Sequence, residues 1–110
     1  MENTNSNRPK LTSLIEVLES ARQRKQMYLR HTTVLEAENF LAGFNVACFA
    51  LGVRVPWELQ QQATEQHGWR FNTLGPASQM REQGLSEERI VDELFAIEIL
   101  SWKLWDTMTE

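Results

Sequence analysis

Phe40-Leu41-Ala42-Gly43-Phe44-Asn45-Val46-Ala47-Cys48-Phe49-Ala50-Leu51 decides how the chain folds. Asn45 is the one strongly polar side chain in this run. A bilayer span takes roughly 20 apolar residues, so the run is too short to cross a membrane. It is long for a strand, and its Ala and Leu content favours a helix. Thr33-Val34-Leu35-Glu36 ahead of it fits a capping box, in which hydroxyl and carboxylate satisfy the free N–H groups of a helix start. Gly52 suits the position that closes a helix. The pattern predicts a helix that is apolar nearly all round, hence buried, with other helices wrapped on it. Phe40, Phe44, Ala47 and Leu51 share one face, and Val34, Leu41 and Cys48 another. Ala42 and Gly43 leave room for a neighbouring helix to approach closely.

Outward from this run, the flanking segments also read as helices. Residues 1–10 are rich in Asn and Ser and read as a disordered tail. A helix is expected from Thr12 or Ser13, with Ser13-x-x-Glu16 as its capping box and Leu14, Ile15, Leu18 and Ala21 on one face. It ends in Arg22-Gln23-Arg24-Lys25, where positive charge suits a helix C-terminus. Met27-Tyr28-Leu29 reads as a connector folded back on the core. Pro56 suits the first position of a third helix, and Gly68 its stop. Trp69-Arg70-Phe71-Asn72-Thr73-Leu74 alternates apolar and polar, but no second strand exists to pair with it, so it reads as loop. Pro76 to Gln83 allows one or two helical turns. Ser86 is an N-cap for a long last helix, in which Ile90, Leu94, Ile97, Leu104 and Met108 form a stripe that Phe95, Trp102 and Trp105 widen. The expectation is an all-α fold, a compact bundle of about four helices around a buried central helix, in a single domain over residues 11–110.

Composition narrows the class. The chain has 110 residues, 42% apolar and 24% charged, as in an ordinary globular domain. Four Trp point to aromatic burial as a main source of stability. Cys48 is the single cysteine, so no intrachain disulfide can form, and its apolar setting disfavours a reactive thiolate. No signal peptide or membrane span is visible, and a cytoplasmic setting is expected. Net charge is −4 but uneven. Residues 1–30 carry six Lys or Arg against three Glu, and residues 82–110 carry two against eight acids. The acidic C-terminal part argues against nucleic acid there and could attract a basic protein partner.

Catalytic and metal patterns are sparse. His31, His67 and Cys48 are widely spaced and form no zinc motif. No phosphate-binding glycine loop occurs. Glu87, Glu88, Asp92 and Glu93 have the spacing to hold a divalent ion, but a solvated helix start explains them better. No cofactor is expected, and no enzyme activity. Arg22, Arg24, Lys25 and Arg30 would be the residues of a nucleic-acid binder, an unfavoured reading beside that of a helix end.

Glu19 to Leu29 resembles a helix-end motif R-x-R-P-x-M-Y-L, with Lys25 standing where that motif has Pro. With the pattern Leu35…Phe40-Leu41-Ala42-Gly43-Phe44…Ala47, the pair Gly68-Trp69 and the acidic, aromatic segment Glu87 to Trp105, the chain is similar to a group of short bacterial proteins with immunity or antitoxin-like roles. That resemblance implies a small cytoplasmic protein that neutralises a toxin by binding it, and it carries no catalytic residues. The expected function is a small acidic helical protein-binding module that occludes a partner protein. Glu87, Glu88, Asp92, Glu93 and Glu98 are the expected steering surface, with Trp57 or Trp69 as anchor. The alternative is a self-associating structural or regulatory protein, a homodimer through the last helix, suggested by apolar residues on more than one side of it, including Ile99 and Trp102.

Overall fold

Helix caps set most of the element limits. The computed structural model describes residues 10–108. Among them the regular elements are α1 (Leu11–Gln23), α2 (Lys25–Tyr28), α3 (Val34–Ala50), α4 (Trp57–Gln66), α5 (Pro76–Glu82) and α6 (Glu87–Met108). The expected tail falls almost wholly outside the described residues. α3 starts as its sequence predicts, with Thr33 Oγ1 accepting the Glu36 N–H at 3.2 Å. The reciprocal half of the box does not form. Thr33 N–H donates instead to the His31 carbonyl at 2.9 Å. Gly52 closes α3 at φ +86°. Val53 N–H donates to Cys48 O and Gly52 N–H to Phe49 O, both at 2.9 Å, which is the paired bonding of a Schellman end. Ser86 Oγ accepts the Arg89 N–H at 3.2 Å and caps α6.

Three local expectations change. α1 begins at Leu11, not Thr12 or Ser13, and the Ser13–Glu16 box is not its cap. Ser13 and Leu14 N–H groups both donate to the Lys10 carbonyl. Leu11 packs against the core, and that burial draws the helix start back beyond the polar signal. Pro56 caps α4 rather than entering it. In the connector Leu29 is buried and Tyr28 meets Phe40 edge-on at 6.0 Å, but Met27 is exposed. The alternating segment from Trp69 is a loop, as expected. Its backbone is paired by a side chain: Arg70 N–H donates to Gln79 Oε1 at 2.8 Å, and Gln79 Nε2 donates to Arg70 O at 2.7 Å.

Four helices have ten or more residues, namely α1, α3, α4 and α6, and they surround one hydrophobic core. The central helix is α6, not the Phe40–Leu51 run. α6 packs against α1, α3, α4 and α5. It buries Ile90, Val91, Leu94, Phe95, Ala96, Ile97, Ile99 and Trp102, which point to several sides. At 22 residues it is about 33 Å long, enough to line up the other helices along it. α3 lies on the outside and buries a single face, Val34, Ala37, Leu41 and Cys48. Rings join the two helices: Phe40 lies 5.8 Å from Phe95, and Phe44 meets Trp102 edge-on at 5.8 Å. Such pairs add about 0.5–1.5 kcal/mol each beyond burial. Ile99 and Trp102, the residues that suggested a homodimer through the last helix, are covered by the chain's own helices.

Candidate functional site

The acidic residues of α6 were the expected steering surface, and the fold uses most of them internally. Glu87 Oε2 accepts the Val34 N–H at 2.8 Å and so ties α6 to the start of α3. A carboxylate there also suits the positive end of the helix. Asp92 takes Arg22 in a two-pronged pair, Nε to Oδ1 and Nη2 to Oδ2, both at 2.9 Å. Lys25 Nζ adds a bond to Asp92 Oδ1 at 3.2 Å and another to the Arg22 carbonyl at 2.7 Å. The Arg22 bonds first, then those from Lys25, hold the Asp92 carboxyl down to about 2 against the opposing effect of burial. Glu93 Oε2 accepts from His67 Nδ1 at 2.7 Å and from Trp69 Nε1 at 3.1 Å, which fastens the end of α4. Glu98 lies inside the α3–α6 contact, where its Oε2 accepts from Asn45 Nδ2 at 2.9 Å and Trp102 Nε1 at 2.8 Å. Burial pushes the Glu98 carboxyl up, and the two bonds oppose that shift only in part. The same enclosure, with Glu98 nearby, raises the Cys48 thiol and keeps it protonated.

Of the seven residues expected to meet a partner, Glu87, Glu88 and Trp57 are exposed, and of these Glu87 is bonded to the start of α3. Glu88 borders a hollow of about 250 Å³ with Gln23, Lys25, Gln26 and Thr32. Trp57 is 58% exposed at the start of α4. Trp69 is partly buried and turned toward Glu93. Asp92, Glu93 and Glu98 act as links between helices, each set by the donor that another element brings to it. The basic cluster splits likewise: Arg22 and Lys25 close the end of α1 on Asp92, while Arg24 and Arg30 stay exposed.

The surface that the sequence reading missed is the outer face of α3. Val46 is 69% exposed, Leu35 67% and Phe49 60%. Ala42, Gly43, Ala47 and Ala50 are exposed among them. Among the described residues no helix covers the small residues Ala42 and Gly43, which are exposed, and a Cβ placed on Gly43 would meet nothing within 4 Å. Near the end of α3 the Arg54 guanidinium lies 5.5 Å from the Phe49 ring centroid. Asn45, Val46, Phe49, Arg54 and Gln60 line a hollow of about 290 Å³ there. Trp57 precedes Gln60 by three residues and so shares its side of α4. The available signal was the apolar run itself: it holds more apolar faces than one neighbouring helix can cover.

A wider cleft of about 630 Å³ runs between Gly68, Trp69, Arg70 and the α5 residues Gln79 and Glu82. Arg70 and Glu82 are the ionisable residues in its lining, and beneath Trp69 the pair His67 and Glu93 is bonded to itself and to Trp69. Among the described residues no three His, Cys, Asp or Glu are placed to hold a metal ion. No helix there is long and apolar enough to cross a membrane. Compared with known proteins, the chain matches no family model, no curated sequence and no solved structure. Three residues of the R-x-R-x-x-M-Y-L stretch have structural tasks: Arg22 holds Asp92, Tyr28 Oη lies 3.1 Å from Ser20 Oγ, and Leu29 is buried, while Arg24 and Met27 are exposed.

Proposed function

We propose that the chain is a cytoplasmic protein-binding module that docks another protein through the outer face of α3 and the start of α4. The observation that carries this reading is the exposed apolar surface formed by Leu35, Ala42, Val46, Phe49 and Trp57. Its side chains expose on the order of 600 Å², the upper end of what a lone globular chain leaves to water. Leaving them so costs stability that packing on a partner would recover. Trp57 and the stacked Phe49–Arg54 pair are of the residue types that dominate binding energy at interfaces.

An inhibitor of immunity or antitoxin type is the narrower form, motivated by the sequence motifs. Its contact would be apolar and aromatic, because three of the five expected steering carboxylates are taken up by donors of the fold itself and Glu87 caps α3. The test is affinity capture from the source cell with tagged full-length protein. A partner held by the wild type and by Glu88→Gln, but lost by Val46→Asp and weakened by Trp57→Ala, is the expected result. A partner lost by Glu88→Gln and kept by Val46→Asp would return the docking surface to the acidic helix.

A further inference from the structure

α3 is held to the bundle from one side. Its main helix partner is α6, whereas α6 also carries α1, α4 and α5 directly. The fully buried residues that α3 brings to this contact are modest in size, namely Val34, Ala37, Leu41 and Cys48. A segment that leans on one neighbour is the kind that opens ahead of the whole fold. Its two ends are fixed. Glu87 holds the Val34 N–H at the start, and Val53 and Val55 are buried just beyond the end. What happens at the middle of the contact therefore decides whether α3 lies down on α6 or lifts from it.

That middle holds a carboxylate without a cation. Glu98 Oε2 takes both of its bonds from neutral donors, Asn45 Nδ2 on α3 and Trp102 Nε1 on α6. Among the described residues no Lys, Arg or His pairs with it. The titratable group that faces it from α3 is Cys48, which feels its charge. The other charged groups around α6 are engaged elsewhere or exposed. Glu19 of α1 pairs with Lys103, Arg22 and Lys25 with Asp92, and His67 at the end of α4 with Glu93. Glu65 of α4 is bonded to Gln61, and Arg54 lies over Phe49. Glu58 of α4 and the α5 residues Arg81 and Glu82 are exposed. Enclosing an ionised carboxylate without a cation is costly, and taking up a proton removes that cost. Burial accordingly pushes the Glu98 carboxyl up, against the pull of its two donors. The docked position of α3 thus has its full advantage below the ordinary carboxylate range and loses it as pH rises through the raised value. Lifting α3 returns Glu98 to water, where its charge is solvated.

We propose that a proton on Glu98 latches α3 onto α6, and that its loss lets α3 lift and uncovers Cys48. The latch concerns the inner face of α3 and stands apart from what docks on the outer one.

Labelling of Cys48 by a neutral aromatic disulfide is the test, followed in the full-length wild type and in Glu98→Gln from about pH 4.5 to about pH 8, with circular dichroism as the check on folding. The thiol's own reactivity and every other titrating group act alike in both proteins, so the ratio of the two rates reports Glu98. The two should label alike at the acid end, and the wild type about tenfold faster at the other. Hydrogen exchange of the wild type, corrected for its intrinsic pH dependence, locates the opening: protection of α3 should fall as pH rises while that of α1 holds. A rate ratio that stays flat overturns the latch. So does a variant that labels faster than the wild type at neutral pH, which would make the ionised carboxylate the holding form. Protection lost alike from α1 and α3 would overturn it too, since the proton would then govern the whole fold. Should Glu98→Gln fail to fold, the exchange series of the wild type decides alone. None of these readouts involves a partner, so the latch and the outer docking surface stand or fail separately.

Discussion

α3 and α6 occupy each other's expected places. Over Phe40–Leu51, α3 has one strongly polar side chain, yet Val46 and Phe49 face water. α6 carries Glu87, Glu88, Asp92, Glu93 and Glu98, yet the other long helices all pack on it. Hydropathy alone ranks the two helices the wrong way round. A helix is central when its neighbours can satisfy its polar groups as well as its apolar ones, and α6 has that match. Arg22 and Lys25 reach Asp92, His67 and Trp69 reach Glu93, and Asn45 and Trp102 reach Glu98. α3 has apolar residues on every side but only one side toward the core.

The largest expected effect comes from cutting each helix at its aromatic residue. Trp102→Ala on α6 removes a fully buried ring and should cost about 3–5 kcal/mol in urea unfolding. Phe49→Ala on α3 should change the monomer's stability by less than about 0.5 kcal/mol. Equal costs would end the distinction between the two helices. A smaller effect is expected at Glu98. Its carboxyl binds its proton more tightly folded than unfolded, so stability should fall as pH rises out of the acidic range. Glu98→Gln removes that dependence and still offers an oxygen to Asn45 or Trp102. It should therefore raise the unfolding midpoint at neutral pH and lose the advantage below the ordinary carboxylate range. A midpoint lowered alike at both pH values would show instead that the ionised form is needed.

The smallest effect is expected at Asp92. Its carboxyl is held down to about 2, so the pair contributes stability above the ordinary carboxylate value and loses it as pH falls toward 2. The pair is nearly half exposed, and after solvent screening Asp92→Asn should cost under about 1 kcal/mol at neutral pH. The difference from wild type should vanish at the bottom of that range. A constant difference would mean that the pair's ionisation is not its source.

The elements themselves were legible because their signals are local. Thr33 and Ser86 cap through their own hydroxyls, and Gly52 takes the positive φ that other residues avoid. The capping signal failed at α1, where burial of Leu11 outweighed the polar pair two residues on. Of the face proposed to dock a partner, Trp57 is the residue that the sequence reading also names. The bonds made by the acidic residues of α6 were not legible, because a charge pattern states what a helix carries and not which donors stand opposite. Arg22 and Asp92 are seventy residues apart in sequence, and nothing near either one announces the other.

By itself, then, the sequence determined an all-α chain, its helices nearly to their ends, and a surplus of apolar surface, because caps, glycines and periodicity act within a few residues. Only the tertiary structure decided that α6 is the post, that its carboxylates are links, and that the surplus lies on the outside of α3. The reason is that burial and pairing depend on which distant groups the packing brings face to face.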